Sequence, residues 1–167
     1  PYLYKTMDYG KTWEKITDGI PLEHFTRVLR ADPAKKGLLY AGTETGMYIS
    51  HDDGASWNPF QLNLPIVPIT DLTLKDNSLI VATQGRSIWI LDDLTVLHQI
   101  DQNTVNQPMT LFKPKDSYRT QGSAGKPSPT QGMNLPNGVI VHFNIQDFDS
   151  EKDTVALHFK EQDGTVI

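Results

Sequence analysis

The feature that most constrains this chain is a stretch that occurs twice. Residues 6–13 read TMDYGKTW and residues 50–57 read SHDDGASW. Thr6, Asp8, Gly10, Thr12 and Trp13 recur 44 positions later as Ser50, Asp52, Gly54, Ser56 and Trp57. The offset extends beyond the motif. HFTRVLRAD (24–32) lies over PITDLTLKD (68–76), which pairs Val28 with Leu72 and Asp32 with Asp76. It then falls to 40, matching Gly42 and Thr43 to Ala82 and Thr83. The loss falls in one connection, where DPAKKG shortens to DNS. Shortening a turn while keeping its strands is the behaviour of a structural repeat, and such a period must be read before any motif is.

Each unit contains short β-branched and aromatic runs: RVLRA, LLYAGT, GMYIS, then ITDLTL, LIVATQ, SIWILD. Gly, Asp, Asn or Pro separates them. Four antiparallel strands in 40–45 residues match one blade of a β-propeller. Thr26 to Phe60 reads as a complete blade, residues 1–17 as the outer half of the blade before it, and residues 69–92 as the first three strands of the next. The fold expected is therefore all-β: propeller blades, followed by the first strands of a β-sandwich. One helix is expected, in DDLTVLHQI (92–100), capped by Asp92 or Asp93.

Bulk properties exclude several classes. The net charge of −5 leaves no basic stripe to displace counterions, so nucleic acid is not an expected partner. No apolar run approaches the roughly 18 residues that span a bilayer. The absence of cysteine removes thiol chemistry and Cys-type zinc sites. The chain opens inside a motif without a starting Met, and is expected to be a piece of a longer protein.

The pattern Ser/Thr-x-Asp-x-Gly-x-Ser/Thr-Trp resembles the Asp-box, or BNR repeat, of sialidases, xyloglucanase-like glycoside hydrolases and sortilin-like receptors. Residues 83–93, TQGRSIWILDD, look like the closing blade of the large bacterial sortilin-like or xyloglucanase-like propeller proteins. The resemblance covers roughly residues 1–120. It implies a fold-stabilising turn: Asp8 or Asp52 accepts backbone N–H bonds, Gly10 or Gly54 supplies a positive φ, and Trp13 or Trp57 packs between blades. It also places these turns on the face opposite the usual ligand face, so Asp8 and Asp52 are not expected to be catalytic.

The ligand face would be built from the loops 19–25, 43–46, 63–69 and 83–87. The residues there that could do chemistry are Glu23, His24, Glu44 and Arg86, with Arg27 and Asp71 at the start of the innermost strands; the candidate ligand-binding residues are His24, Arg27, Glu44, Asp71 and Arg86. Arg27 and Asp71 align in adjacent blades and are expected to face one another as an ion pair. Arg86 has the chemistry to clamp a carboxylate. Glycoside hydrolysis needs two carboxylates about 5–10 Å apart, and Asp71 is the only acid on an inner strand. The five histidines show no ligand spacing, so neither a metal nor a cofactor is expected.

The organisation expected is residues 1–119 as a partial propeller, 120–137 as a Gly/Pro/Ser-rich linker, and 138–167 as the start of an immunoglobulin-like or fibronectin-like sandwich. Strands are expected at 109–112, 138–146 and across 154–167. The run at 109–112 is expected to return as the outer strand of the last blade or to lie along the propeller's side. The functional expectation is a binding or scaffolding module for carbohydrate or protein, inactive on its own. Its other partners would be the remaining blades of the parent chain. The alternative is the C-terminal part of a glycoside hydrolase whose carboxylates lie upstream. By resemblance, the compartment is extracytoplasmic.

Overall fold

The computed structural model describes residues 1–118 and 138–166, so the expected linker at 120–137 lies outside the described residues. The chain is nearly all β, in antiparallel sheets. The first sheet pairs β1 (Tyr4–Lys5) with β2 (Glu14–Lys15). The second holds β3 (Thr26–Ala31), β4 (Leu39–Thr43), β5 (Met47–Ser50) and β6 (Asn58–Pro59), in that order. The third holds β7 (Ile69–Lys75), β8 (Ser78–Thr83) and β9 (Ile88–Leu91), also in chain order. Helices α1 (Thr95–Gln99) and α2 (Gln102–Val105) follow, then β10 (Met109–Leu111) and β11 (Phe143–Ile145), which pair with each other.

The three sheets stack because β4 is apolar on both faces, and all five of its residues are buried. Leu39 and Ala41 face the first sheet, where they meet Leu3, Ile16, Ile20, Tyr48 and Trp57. Tyr40 faces the third sheet, where Val28, Leu38, Met47 and Ile49 pack against Ile69, Leu72, Leu79, Val81 and Leu94. A period of two along one strand thus supplies both interfaces.

Ladder register refines the repeat. Thr26 pairs with Thr43 and Val28 with Gly42; Ile69 pairs with Thr83 and Asp71 with Ala82. A bulge therefore sits at Arg27 in one sheet and at Thr70 in the other. The offset across β3 and β7 is 43 (69 − 26), not the 44 expected from the sequence. Equivalent backbone bonds agree: Glu44 N–H donates to Phe25 O at 3.0 Å, and Gln84 N–H donates to Pro68 O at 2.9 Å. Arg27 corresponds to Thr70, and Asp71 corresponds to Val28.

The two copies of the motif close in the same way. Asp8 Oδ1 accepts from Thr12 N–H at 2.8 Å and its Oδ2 from Thr12 Oγ1 at 2.7 Å. Asp52 accepts from Ser56 N–H at 2.9 Å and Ser56 Oγ at 2.5 Å. Gly10 N–H donates to Thr6 Oγ1 at 2.8 Å, and Gly54 N–H to Ser50 Oγ at 2.9 Å. Both glycines have positive φ, +89° and +88°. A Cβ on Gly54 would also lie 2.6 Å from Ile16 Cδ1, whereas one on Gly10 would meet only Trp13, at 3.7 Å. Gly54→Ala is expected to cost at least about 1 kcal/mol and clearly more than Gly10→Ala. Urea denaturation of the two variants checks the order.

After β9 the chain does not form a fourth strand. Asp93 Oδ1 accepts from Thr95 N–H at 2.9 Å and from Asn77 Nδ2 at 3.0 Å, but α1 lies within the expected helix with Leu94 as its N-cap and no side-chain cap, so neither Asp92 nor Asp93 holds the cap position expected. The turn Asp76–Asn77 is left-handed at both residues. Its shortness leaves room for Leu94, whose N–H donates to Asn77 O at 3.1 Å.

The run at 109–112 does not return to the third sheet. Met109, Thr110 and Leu111 pair with Ile145, Asn144 and Phe143 instead. The alternating run Val155, Leu157, Phe159 forms no ladder, and these side chains stay about half exposed. Only a Lys160–Val166 bridge closes the Gln162–Gly164 turn. Of the strands expected at 138–146 and across 154–167, only Phe143–Ile145 forms one among the described residues. β11 is matched to β10, and the run at 155–159 joins no sheet among the described residues.

Candidate functional site

The loops 19–25, 43–46, 63–69 and 83–87 gather at one end of the stack, and the repeated turns, the β3–β4 turn and α1 at the other. At the loop end, Arg27 Nε donates to Glu44 Oε1 at 2.8 Å, and a second guanidinium nitrogen lies 2.5 Å from the same oxygen. Arg30, on β3, donates to Asp71 Oδ1 at 2.6 Å. Arg27 and Asp71 therefore do not pair with each other, because the bulge at Arg27 turns it toward the β4–β5 loop. Both ion pairs are partly exposed, where such pairs contribute about 0–1 kcal/mol.

His24 Nδ1 lies 2.6 Å from the Tyr48 hydroxyl. Burial, reinforced by the nearby Glu23 charge, raises the Tyr48 hydroxyl above its usual pKa. Arg86 is exposed on the β8–β9 loop, where its carbonyl accepts from Trp89 Nε1 at 2.8 Å. Its guanidinium makes no hydrogen bond or ion pair among the described residues. The five candidates thus separate into an Arg27–Glu44 pair, an Asp71 held by Arg30, a His24–Tyr48 contact and an unengaged Arg86.

The other end holds a polar cluster that no spacing in the sequence signals. The Asp32 side chain is 1% exposed. Its Oδ1 accepts from Ala34 N–H at 2.8 Å and Lys35 N–H at 3.1 Å, an Asx turn that is legible in Asp-Pro. Its Oδ2 accepts from Tyr40 Oη at 3.1 Å and lies 2.9 Å from His98 Nε2. His98 is 66 residues away on α1, and only the fold brings it there. Lys35 Nζ donates to Leu97 O at 3.2 Å and to Ile100 O, the carbonyls at the end of α1. Burial opposes the Asp32 charge. The bonds from His98 and from the Ala34 and Lys35 amides outweigh it and hold the carboxyl below its usual range. Burial, followed by the Asp32 charge, pushes the Tyr40 hydroxyl upward. Burial lowers Lys35 against the pull of Asp101 and Asp32. Each donor and acceptor serves to dock α1 on the β3–β4 turn.

The carboxylates of the two repeated turns are likewise occupied. Hydrogen bonds from the Thr12 amide and hydroxyl hold Asp8 below its usual range. For Asp52, burial is outweighed by bonds from Ser56 and Ser50, with the same result. No group of three or more His, Asp or Glu side chains is disposed to hold a metal ion among the described residues. Among the described residues no helix is long and apolar enough to cross a membrane.

Comparison with known proteins finds a distant similarity. The chain is 25% identical over 91 residues to the human VPS10 domain-containing receptor SorCS1, covering 52% of this chain and 8% of the receptor. The chain therefore spans a small part of that relative's length. No family model and no solved structure matches.

Proposed function

We propose that this chain is part of an Asp-box β-propeller of the sortilin type, acting as a non-catalytic binding module on an extracytoplasmic protein. Residues 1–119 contribute its last blades, 120–137 a linker and 138–167 the start of a following domain. The observation that carries the reading is the state of the acids. Glu44 and Asp71 at the loop end are engaged by Arg27 and Arg30, and Asp8 and Asp52 are spent in their turns, which leaves Glu23 as a lone exposed loop-end acid with no second carboxylate free beside it among the described residues. A general acid needs a carboxyl free to give up a proton, and a nucleophile needs a carboxylate free to reach the anomeric carbon. The distant similarity to a VPS10-domain receptor supports a binding role.

Arg86 is the residue proposed to contact a carbohydrate or protein ligand, through a carboxylate. On an array of acidic oligosaccharides and unstructured acidic peptides, Arg86→Ala is expected to weaken binding about tenfold or more while changing stability by less than about 0.5 kcal/mol. Equal binding by the variant would remove Arg86 from the site. Release of reducing sugar that Asp71→Asn abolishes would replace the binding reading with the hydrolase one.

A further inference from the structure

The second copy of the repeated turn carries His51 where the first carries Met7. Met7 is exposed, whereas the His51 ring is partly buried and its Nδ1 is shut off from water with no hydrogen-bond partner among the described residues. A shut-in N–H without an acceptor is rarer in folded proteins than a shut-in acceptor without a donor, so the proton of the neutral ring belongs on Nε2. Burial and the Lys35 charge lower the imidazole pKa against the pull of Asp52, which keeps the ring neutral near neutral pH. Nε2 is then the donor left to the cavity that His51 lines.

That cavity measures about 610 Å³, within the range of about 300–1,000 Å³ usual for small-molecule sites. It lies where the second repeated turn, the β3–β4 turn and the α1–α2 corner meet. The β3–β4 turn reaches it because it is longer than its counterpart at Asp76–Asn77 and carries Lys35. The corner forms because Ile100 and Asp101 leave the helical conformation, and Asp101 then caps α2. The polar groups there have capacity left over. Lys35 Nζ donates to Leu97 O and Ile100 O and keeps a third N–H. Asp101 Oδ1 accepts from Thr104 N–H at 2.8 Å, and its Oδ2 takes no hydrogen bond among the described residues. The Asn106 side chain makes none there either. Ile100 and Val105 supply an apolar wall.

Charge narrows the class of ligand. A cation would meet Lys35, and an anion would meet Asp101 and the Asp52 carboxylate, which hydrogen bonds from Ser56 and Ser50 hold charged within its turn. Lys35 and Asp101 attract and offset each other. What remains is a mixed set of donors and acceptors beside an apolar wall, and it suits a neutral molecule that carries several hydroxyls and a C–H face. We propose that this cavity is a binding site for a neutral pyranose sugar. Sugar hydroxyls accept from Lys35 Nζ and His51 Nε2 and donate to Asp101 Oδ2 and the Asn106 side-chain oxygen, since each hydroxyl can do both. The C–H face of the ring lies on Ile100 and Val105. The site is at the end of the stack opposite Arg86 and does not depend on that reading.

The test uses the full 167-residue chain, with glucose, galactose and mannose as separate probes and glycine as a zwitterionic one. Nitrogen NMR of the His51 ring is expected to show the Nε2–H tautomer in the free protein. At least one of the three sugars is expected to shift His51 Nε2 and the Asn106 side-chain amide saturably, with a Kd of about 1–10 mM. His51→Gln can hold an N–H at the reach of Nε2, and His51→Asn cannot. The first is expected to keep the affinity within about threefold and the second to weaken it about tenfold. Urea midpoints of the two variants separate loss of folding from loss of binding, and Asn106→Ala, on an exposed side chain, is expected to weaken binding about tenfold without changing the midpoint. An Nδ1–H tautomer would overturn the proposal. So would the absence of saturable shifts at His51 and Asn106 with all three sugars, saturation by glycine alone, or equal affinity of the Gln and Asn variants.

Discussion

Trp57→Ala is expected to destabilise the protein by about 3–5 kcal/mol, the cost of emptying a well-packed aromatic site. The side chain is the wedge between the first two sheets. Its loss removes contacts with Leu3, Ile16 and Ile20 on one side and Leu39, Ala41 and Tyr48 on the other. It also leaves Ile16 O without its indole donor. Trp13, in the same position of the same motif, is 60% exposed, and its Nε1 folds back onto Gly10 O at 3.2 Å. Trp13→Ala is expected to cost less than about 1 kcal/mol. Paired urea titrations give the comparison. Equal losses would mean that the motif's own turn, rather than the packing between sheets, holds the tryptophan's energy.

Asp32→Ala is expected to cost a similar amount, about 3–5 kcal/mol, for an electrostatic reason. It leaves the Tyr40 hydroxyl, His98 Nε2 and two backbone amides without their shared acceptor in a buried place. The helix α1 then loses its His98 anchor and keeps the bonds of Lys35, Asn77 and Gln99 and the packing of Leu94 and Leu97, so its amides are expected to exchange faster than those of β4. The pH dependence has a definite sign. The Asp32 carboxyl is lowered in the folded state, so its stabilisation is complete above the unfolded-state value and is lost as pH falls through the lowered one. The stability gap between parent and Asp32→Ala should therefore be widest near neutrality and narrow on acidification. A gap that stays constant down to the lowest pH at which the parent folds would show that Asp32 acts by shape rather than charge.

What each level of description determines follows from the range of the forces involved. The repeated turn is legible in sequence because it is local. Asp8 and Asp52 bond four residues ahead, Gly10 and Gly54 meet a local φ requirement, and the apolar alternation of β4 marks a strand buried on both faces. The all-β class and the helix near residue 95 rest on the same short-range rules. The offset of 44 was one residue out across β3 and β7, because a bulge leaves no compositional trace and is set by ladder pairing. That single residue separates Arg27 from Asp71 and gives Asp71 to Arg30. The strand at 109–111 was also readable, but its partner was not, since pairing depends on which edges remain open once the sheets have stacked. His98 showed no ligand spacing, yet it closes the polar cluster around the buried Asp32 carboxylate, because α1 folds back over the β3–β4 turn. Sequence by itself determined the repeating unit and its turn chemistry. Tertiary structure alone decided which tryptophan is buried and which charges meet, because those outcomes depend on how whole sheets lie against one another.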